Sequence, residues 1–590
     1  MKTQAAGMNM ITKTMFRLLP VQVLLAVVPM INGFVSSFFA SNYLGVNAMG
    51  AVGLFSPFIL LMNAIATLLQ GGSVIICGKH LGRNQQEKVQ DVFSLNLLVT
   101  ILVAAAFAAF CLICGVLDLT GFLTRDPAVR RLLNRYILGQ AIGVFPLIYG
   151  SQLSAFLALE NRGKRTTVAG LVYIAANILF DYVFIQVLHL EAFGLALASS
   201  LGLWVFMAVE AQYFMTAESH LRISLAGAAW RECGEIIRVG FPGAASNIYQ
   251  TVRGLIVNRL LDVCIGSAAI SGFAASDNLM RIFWAIPVGM LAVSRMLMSV
   301  SYGEEDRQTL TDIMRVMFRR YLPVMFAINI AMILCAGLMT RIFFRDPSEP
   351  VYQMTVLGFR ILPLCMPLSI ICMHFMCYGQ IAGKQGFVNI LALLDGVVFV
   401  SVLTALMIRP MGISSAYVAN VLNGILTTIY IVGYAALKKG HLPRNMDDLM
   451  TIPENYGVPE SERMDLSIQS MEEVVMISRQ VQSFCEERRI DSRRAHLAGL
   501  ALEEMAGNIV GHGFSKDRKK HSVDVRVVHK DDDVILRLKD DCVPFDPGER
   551  RDMEDPADPA KNIGIRMIFR IAREVQYQNL VGMNVLTIRI

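Results

Sequence analysis

Long apolar segments recur along the first 440 or so residues of the chain and then stop. A helix needs about 20 predominantly apolar residues to cross the hydrocarbon core of a bilayer. Twelve segments are long enough, at 16–40, 50–78, 92–117, 136–158, 166–188, 193–216, 238–261, 270–300, 321–340, 352–378, 386–408 and 412–437. The pattern predicts a mainly α membrane protein with twelve transmembrane helices in residues 1–440. The first segment is too long for the apolar core of a signal peptide.

The pattern changes after residue 440. Residues 441–465 are polar, contain three prolines and show no helical stripe, which is typical of a linker. Apolar residues then recur at helical spacing over 466–488 and 491–511, and a further helix is predicted near 563–574. Alternating apolar and polar residues predict strands at 522–529, 533–540, 574–580 and 584–590. Residues 466–590 are therefore expected to form a separate α+β sandwich with helices on a sheet.

Composition and charge add an orientation to this picture. Hydrophobic residues make up 54% of the chain and charged residues 17%, against about 25% charged in soluble domains. With the N-terminus inside, 20 Lys and Arg residues fall in the predicted inner loops and 7 in the outer loops. The positive-inside rule then predicts a multi-pass protein of the cell membrane, in contact with lipid. An even number of spans returns the C-terminal domain to the cytoplasm, so that both termini are expected there.

The membrane half also repeats itself. Three glycine pairs in similar contexts are separated by about 219 residues, and they are Gly53 and Gly272, Gly163 and Gly383, and Gly194 and Gly412. A constant offset predicts two six-helix halves, at about 10–220 and 235–440, inserted in the same orientation.

The membrane half contains the stretch FLALENRGKRTTVAGLVYIAANILFDYVFI, a Leu44-Gly45 loop and GKHLGRNQQEK at 78–88. In these segments it resembles the multidrug and toxic compound extrusion (MATE) transporters. The resemblance implies exchange of organic solutes for Na⁺ or H⁺ through two bundles that rock about a central cavity. Many members carry an acid in the first span at the position of Ser37, which argues against ion coupling through that position here.

Ionisable and amide side chains inside the apolar segments are the candidates for the transport pathway. A charge in hydrocarbon costs at least ~2.5 kcal/mol and normally faces a cavity or a partner. The candidates for binding ion or solute are Asn177, Asp181, Asp277 and Asp395. Asp181 and Asp395 fall at similar depth in the two halves, where they either bind a coupling ion or pair helices.

The C-terminal domain carries LEEMAGNIVGH, KDDCVPFDP and NIGIRM in that order. Glu504, Asn508 and His512 are spaced by four, so a helix would place all three on one face. The three segments resemble the GHKL superfamily of ATP-binding domains, with the Bergerat-type fold, and most closely the anti-sigma-factor serine kinases. Carbonyl and carboxylate oxygens at such a site suit Mg²⁺ bound to phosphates.

The resemblance implies a role for each matching residue. Glu504 is the base or water-positioning carboxylate, Asn508 the Mg²⁺ ligand, Asp540 the acceptor for the adenine amino group, and Gly564 part of the lid over the phosphates. His512 and Asn562 complete the expected ATP site. The chain departs from the family at two glycines, which are replaced by Cys542 and Asn562. Cysteine is small and Asn tolerates positive φ.

Two functions follow as expectations. In the first, the protein is a secondary antiporter that exports small organic solutes, drug-like or metabolite, in exchange for Na⁺ or H⁺, and the ATP-binding domain regulates it. In the second, it is a membrane sensor whose tail is a serine/threonine kinase or ATPase acting on a STAS-type anti-sigma-antagonist partner. A third possibility is a nucleotide-free docking module. The chain has no GxxxxGK[ST] loop, which argues against a phosphate-loop pump, and no nucleic-acid partner is expected.

Overall fold

A computed structural model describes most of the chain, namely residues 2–39, 43–44, 51–52, 54–122, 127–216, 219–224, 230–342, 344, 346–516, 521–530, 532–551, 562–580 and 582–590. The side chain of Ser37, together with Gly45 and Gly53, lies outside the described residues. The contacts divide the chain into two compact units. We call Leu19–Gly303 with Met317–Thr451 the membrane body, and Met1–Leu18 with Glu304–Val316 and Ile452–Ile590 the tail unit.

Helices account for nearly all of the chain before residue 440. They are α1 (Lys2–Phe39), α2 (Ser56–Gly82), α3 (Gln86–Val116), α4 (Pro127–Leu159), α5 (Gly163–Asp181), α6 (Glu191–Phe214), α7 (Cys233–Cys264), α8 (Ser267–Gly303), α9 (Arg307–Val316), α10 (Leu322–Leu334), α11 (Ala336–Thr340), α12 (Pro350–Ile361), α13 (Cys365–Ile381), α14 (Gln385–Leu393), α15 (Phe399–Met411) and α16 (Ser414–Lys439). Short π-helical turns follow three of them, at Tyr182–Val187, Met317–Tyr321 and Leu394–Val398.

Eleven helical segments in the described part of the chain are long and apolar enough to cross a membrane. The twelfth predicted span, 238–261, lies in α7, which has 32 residues but whose centre is rich in small and polar residues between Gly240 and Gly254. Two of these segments, Arg307–Leu334 and Gln385–Met411, each consist of two α-helices joined by a π-helical turn. The helical segment that contains most of the span predicted at 321–340 begins 14 residues earlier, at Arg307.

Small residues allow the helices of the membrane body to pack closely. A side chain on Gly72 of α2 would overlap the carbonyl of Ile236, and one on Gly240 of α7 would overlap the carbonyl of Leu68. The backbones of α2 and α7 are therefore in contact, as small residues permit in membrane helices. Because α2 belongs to the first half of the repeat and α7 to the second, this contact joins the two halves.

The tail unit contains an antiparallel sheet covered by helices, which confirms the predicted α+β fold. Its elements are α17 (Met446–Leu449, just before the unit), β1 (Arg463–Ile468), α18 (Met471–Glu487), α19 (Ser492–Asn508), β2 (Val523–Lys530), β3 (Asp533–Asp540), α20 (Pro547–Arg551), α21 (Ile563–Ile571), β4 (Glu574–Leu580) and β5 (Met583–Arg589). The strand order is β1-β2-β3-β5-β4. Alternate residues of β2 and β3, such as Val525, Val527, Leu536 and Leu538, are buried in one core with α18 and α19.

The structure corrects three boundaries. Residues 466–468 belong to strand β1 and not to the predicted helix, which begins at Met471 after the cap Ser470. The helix predicted over 491–511 is α-helical only to Asn508 and continues as a π-helical turn, Ile509–Gly513. The segment 441–465, predicted as a linker, contains α17 and the start of β1. The Nζ atom of Lys384 donates to the carbonyl oxygens of Met450 and Thr451 at 2.6 and 2.8 Å, so the end of the membrane body is fixed.

Candidate functional site

Helix α19 presents its polar face at its C-terminal end. Leu502, Met505 and Ala506 are buried in the core, whereas Glu504 and Asn508, one turn apart, are half-buried on another side. Asn508 is the last α-helical residue. His512 lies in the π-helical turn that follows and is exposed, so the three residues do not form one continuous α-helical face.

The start of α21 meets this end of α19. A side chain on Gly564 would overlap the carboxylate of Glu504, so the absence of a Cβ lets the two helices approach. Asn562, the cap of α21, has φ +64°, in the left-handed region that Asn adopts more readily than most residues. The departure from glycine at this position is therefore compatible with the backbone.

Asp540 is the last residue of β3 and is buried. Its Oδ1 atom accepts hydrogen bonds from the backbone N–H of Cys542 at 2.9 Å and from Nδ2 of Asn584 at 2.8 Å. Asn584 is itself fixed, because its Oδ1 accepts from the Tyr577 hydroxyl at 2.7 Å and from Asn579. Burial raises the pKa of Asp540, and the hydrogen bonds from Asn584 and Cys542 oppose that shift in part.

Asn584 and Tyr577 were not recognised in the sequence as parts of this site. They lie on β5 and β4, more than 30 residues after Asp540, and only the pairing of β3 with β5 brings Asn584 opposite Asp540. No local motif marks them.

Cys542 replaces a family glycine, and the structure shows how its side chain is accommodated. A Cβ on Gly513, in the π-helical turn after α19, would lie 3.2 Å from the Cys542 sulfur. The missing side chain at Gly513 thus leaves room for the sulfur. The contact also brings the loop that follows Asp540 beside the end of α19.

Oxygen ligands and a close backbone approach are what a magnesium-bound nucleotide needs. Asn508 and Glu504 carry side-chain oxygens, Gly564 allows the Glu504 carboxylate to approach the start of α21, and Asp540 is a buried acceptor. These residues fit Mg-ATP. Nearby, His521, Asp541 and Cys542 each offer one potential metal-ligand atom, and these atoms lie within 4.8 Å of one another. The Nδ1 atom of His521 lies 2.8 Å from the Asp541 carboxylate, so these two side chains already pair with each other.

Two Asp–Asn pairs lie in the membrane body, one buried and one half-buried. Nδ2 of Asn177 donates to Asp181 at 3.0 Å on α5, and Nδ2 of Asn423 donates to Asp395 at 2.8 Å. Asp181 immediately precedes one π-helical turn and Asp395 lies within another. Such turns occur often at functional sites. The Oδ1 atom of Asp181 has no hydrogen-bond partner among the described residues.

The other membrane carboxylates differ from these pairs. Asp277 lies on a partly exposed surface and forms an ion pair at 2.9 Å with Arg281, one turn later. Glu210 of α6 is fully buried and accepts a hydrogen bond from Ser154 at 2.7 Å. The sequence interpretation missed Glu210, although a carboxylate within an apolar helix was a sufficient signal.

Comparisons with known proteins agree with both parts of the chain. The MatE family model matches residues 23–183 and 242–411, and the histidine kinase-like ATPase domain model matches residues 469–590. Among curated proteins, the probable multidrug resistance protein NorM of Bacillus subtilis (strain 168) is 22% identical over 230 residues, which are 36% of this chain and 49% of that protein. NorM of Xanthomonas axonopodis pv. citri (strain 306) is 30% identical over 122 residues, which are 20% of this chain and 26% of that protein. The alignments therefore span at most about half the length of these relatives.

Solved structures share the fold of the membrane body. The crystal structure of MATE in complex with MaL6 has a TM-score of 0.67 and 19% identity, over 73% of this chain and 97% of that chain. The outward-facing conformation of a multidrug resistance MATE family transporter of the MOP superfamily has a TM-score of 0.67 and 18% identity, with the same coverage of 73% and 97%. Because the family model matches more than half of its residues, the chain belongs to the MatE family and carries a C-terminal histidine kinase-like ATPase domain.

Proposed function

We propose that the protein is a secondary antiporter that exports small organic solutes, drug-like or metabolite, in exchange for Na⁺ or H⁺, and that its tail binds Mg-ATP and regulates this transport. The observation that carries the nucleotide half is the site at the end of α19. There, Gly564 contacts Glu504, while the buried Asp540 is fixed by Asn584. The membership of the MatE family supports the transport half.

Each residue of the candidate site in the tail has its own role in binding the nucleotide. Asp540 accepts the amino group of adenine, and its fixed Oδ1 leaves the other oxygen to face the base. The amide oxygen of Asn508 ligates Mg²⁺, which neutralises phosphate charge when it is bound. Gly564 lets the start of α21 close over the phosphates, and Glu504 orients a water or a hydroxyl nucleophile. His512 and Asn562 line the same site.

The two Asp–Asn pairs supply the proposed ion sites. A carboxylate in the membrane interior is costly unless it is paired or protonated, and Asp181 and Asp395 each have a single amide donor from a described side chain. A bound cation offsets the charge of the carboxylate. It therefore stabilises the conformation in which that carboxylate is more deeply buried. Ion binding therefore shifts the equilibrium between the inward-open and outward-open states.

Two measurements on the full-length protein test this function. In detergent, the parent is expected to bind Mg-ATP, Asn508→Ala to lose the magnesium-dependent part of the affinity, and Glu504→Ala to retain binding. In proteoliposomes, efflux of a fluorescent organic cation should require a Na⁺ or H⁺ gradient. Transport that persists without any ion gradient and stops without ATP would exclude a secondary antiporter. Absence of Mg-ATP binding by the parent would exclude the regulatory role and favour a docking module.

The contact between Glu504 and Gly564 favours a second function. A carboxylate held against the start of α21 is positioned to activate a nucleophile over bound phosphates, as a kinase or ATPase requires. In this version the membrane body senses a solute and the tail phosphorylates a serine or threonine of a STAS-type partner. Incubation with labelled ATP and such partners tests it. Failure to label any of them, with Mg-ATP binding intact, excludes the kinase.

A further inference from the structure

The tail unit is assembled from three segments that are far apart in the chain. Besides Ile452–Ile590 it contains Met1–Leu18 and Glu304–Val316. Residues 2–18 are the beginning of α1, in the first half of the membrane repeat. Glu304–Val316 follows Gly303, the last residue of α8, and leads into α10, in the second half. The tail unit thus includes one piece of each half.

An acidic turn, Glu304–Asp306, lies on a basic patch of the sheet formed by Arg526, Arg537 and Lys539. The Lys539 ammonium is 2.6 Å from Glu304 and 3.7 Å from Asp306. Arg537 is 3.8 Å from Glu304, and Arg526 forms an ion pair with Asp306. The side chains of Glu304 and Asp306 are only 2% and 6% exposed. Carboxylates this deeply buried stay charged only when cations surround them.

Backbone contacts hold the same turn. Asp306 caps α9, since it accepts from the N–H of Thr309 at 3.0 Å. Arg307 donates to the carbonyl oxygens of Pro453 and Glu454 at 3.3 and 3.4 Å. Gly457, at φ +83°, passes so close that a Cβ would lie 2.8 Å from the carbonyl oxygen of Glu305. The first residues of Ile452–Ile590 therefore pack on the acidic turn as well.

The charge of Asp306 is set by its partners. Burial raises the pKa of this carboxyl, but Arg526 and Lys539 outweigh burial and hold the pKa below its usual range. The group is therefore a carboxylate at neutral pH, and the ion pairs persist there.

The first half also contributes a contact to the tail unit. Arg17 of α1 donates to the carbonyl oxygen of Gly582, in the turn between β4 and β5. Met15, two residues before it, is fully buried.

Both attachments adjoin the nucleotide site along the chain. Lys539 of the basic patch precedes Asp540, and successive residues of a strand point to opposite faces. Lys539 therefore binds the acidic turn on one face of β3 while Asp540 faces the nucleotide site on the other. Gly582, the acceptor of Arg17, is two residues before Asn584, which holds Asp540.

We propose that these two attachments couple the ATPase domain to transport: the basic patch binds the acidic turn of the second half, Gly582 binds Arg17 of the first half, and occupancy of the nucleotide site alters this joint restraint through β3 and the β4–β5 turn. The inference rests on the proposed function. Alternating access moves the two halves relative to each other, and a domain joined to a segment of each restrains that movement. Nucleotide then changes the equilibrium between states by changing the restraint.

A charge reversal with its rescue tests the acidic turn. Lys539→Glu places a third carboxylate against Glu304 and Asp306, and Lys539→Glu with Glu304→Lys restores an ion pair. The matched control is Lys530→Glu, because Lys530 pairs with Glu305 of the same turn at 2.8 Å but both side chains are more than 40% exposed. Each full-length protein is reconstituted, and gradient-driven efflux of ethidium is measured with and without Mg-ATP on both sides of the membrane.

We expect Mg-ATP to change the rate of the parent and of the control about fivefold or more, a usual size for coupling between sites. Lys539→Glu should still bind Mg-ATP but lose that change, and the double variant should regain at least half of it. Full nucleotide dependence in Lys539→Glu, or no recovery in the double variant, overturns the coupling. A parent that binds no Mg-ATP instead refutes the proposed function of the tail, and the coupling with it.

Hydrogen exchange measures the same coupling in the unmodified chain. It requires neither a transported solute nor a destabilising variant. Mg-ATP should change amide protection in residues 10–18, in residues 304–316, or in both. If Mg-ATP binds and protection changes in neither segment, the proposal is wrong.

Discussion

Substitution of Asp540 by asparagine should change which base the tail accepts. In the parent, Oδ1 of Asp540 accepts from the N–H of Cys542 and from Asn584. In Asp540→Asn both donors still need an acceptor, so the amide oxygen takes the Oδ1 position. The amide nitrogen then replaces the second carboxylate oxygen and meets the adenine amino group donor to donor.

The size of the effect follows from the lost hydrogen bond. A hydrogen bond to a charged group contributes about 1.5–3 kcal/mol, and 1.4 kcal/mol is a factor of ten. ATP should therefore bind about 10- to 150-fold more weakly to Asp540→Asn. Inosine triphosphate carries an oxygen in place of the amino group, so the new amide can donate to it, and the preference between the two nucleotides should reverse. The fold should survive because Cys542 and Asn584 keep their acceptor, whereas Asp540→Ala leaves both donors unpaired at about 1–3 kcal/mol each.

Calorimetric titration of the full-length protein with Mg-ATP and Mg-ITP measures the preference. The matched control is Asp541→Asn, since Asp541 pairs with His521 and not with Asn584, and its base preference should equal that of the parent. If Asp540→Asn binds ATP within twofold of the parent, or gains nothing for ITP, Asp540 does not contact the base.

Three further substitutions test other parts of the structure. Gly564→Ala should displace the Glu504 carboxylate and reduce phosphate release at least tenfold, with a smaller effect on Mg-ATP binding. Gly507→Ala, whose Cβ meets only a sulfur at 3.9 Å, is its control, and equal turnover in both excludes a role for the contact. Burial raises the pKa of Asp524 to about 6, so the wild-type tail gains stability as pH falls from that value towards the unfolded pKa. Asp524→Asn should therefore stabilise the tail at pH 7.5 by at most about 3 kcal/mol, and not at pH 4, as measured by hydrogen exchange; an equal gain at both pH values contradicts the assignment. Asp181→Asn should lower gradient-driven efflux at least tenfold in proteoliposomes, and unchanged efflux excludes ion coupling through that carboxylate.

Secondary structure was predictable where one local pattern dominates. The alternation of Val523, Val525 and Val527 marks β2, because one face of the sheet is buried. The start of α18 was predicted too early, because Ile468 of β1 also fits the helical spacing of the apolar residues that follow. The sequence did contain the correct signal, a capping box: the N–H of Glu473 donates to Ser470 at 3.4 Å, and the Glu473 carboxylate accepts from the N–H of Gln469 at 2.7 Å.

The candidate site was predictable only as far as its residues are close in the chain. Glu504 and Asn508 are one turn apart, so helical periodicity alone puts them together. Asn584 joins the candidate site through the pairing of β3 with β5, and Gly513 through its contact with Cys542. Neither residue is marked by a local sequence pattern. The acidic turn reads as an ordinary solvated loop, because its partners follow more than 200 residues later.

The two attachments of the tail unit differ in strength, and the difference indicates which of them nucleotide can change. Removing one partner from a buried ion pair costs about 3–5 kcal/mol, and the acidic turn has several such contacts with Arg526 and Lys539. The hydrogen bond from Arg17 to Gly582 contributes about 0.5–1.5 kcal/mol. Coupling energies between sites are typically 1–3 kcal/mol, which is too small to separate the acidic turn from the sheet but sufficient to break the Arg17 contact. We therefore expect the ion pairs of the acidic turn to persist throughout the transport cycle, whereas the contact between Arg17 and Gly582 forms and breaks.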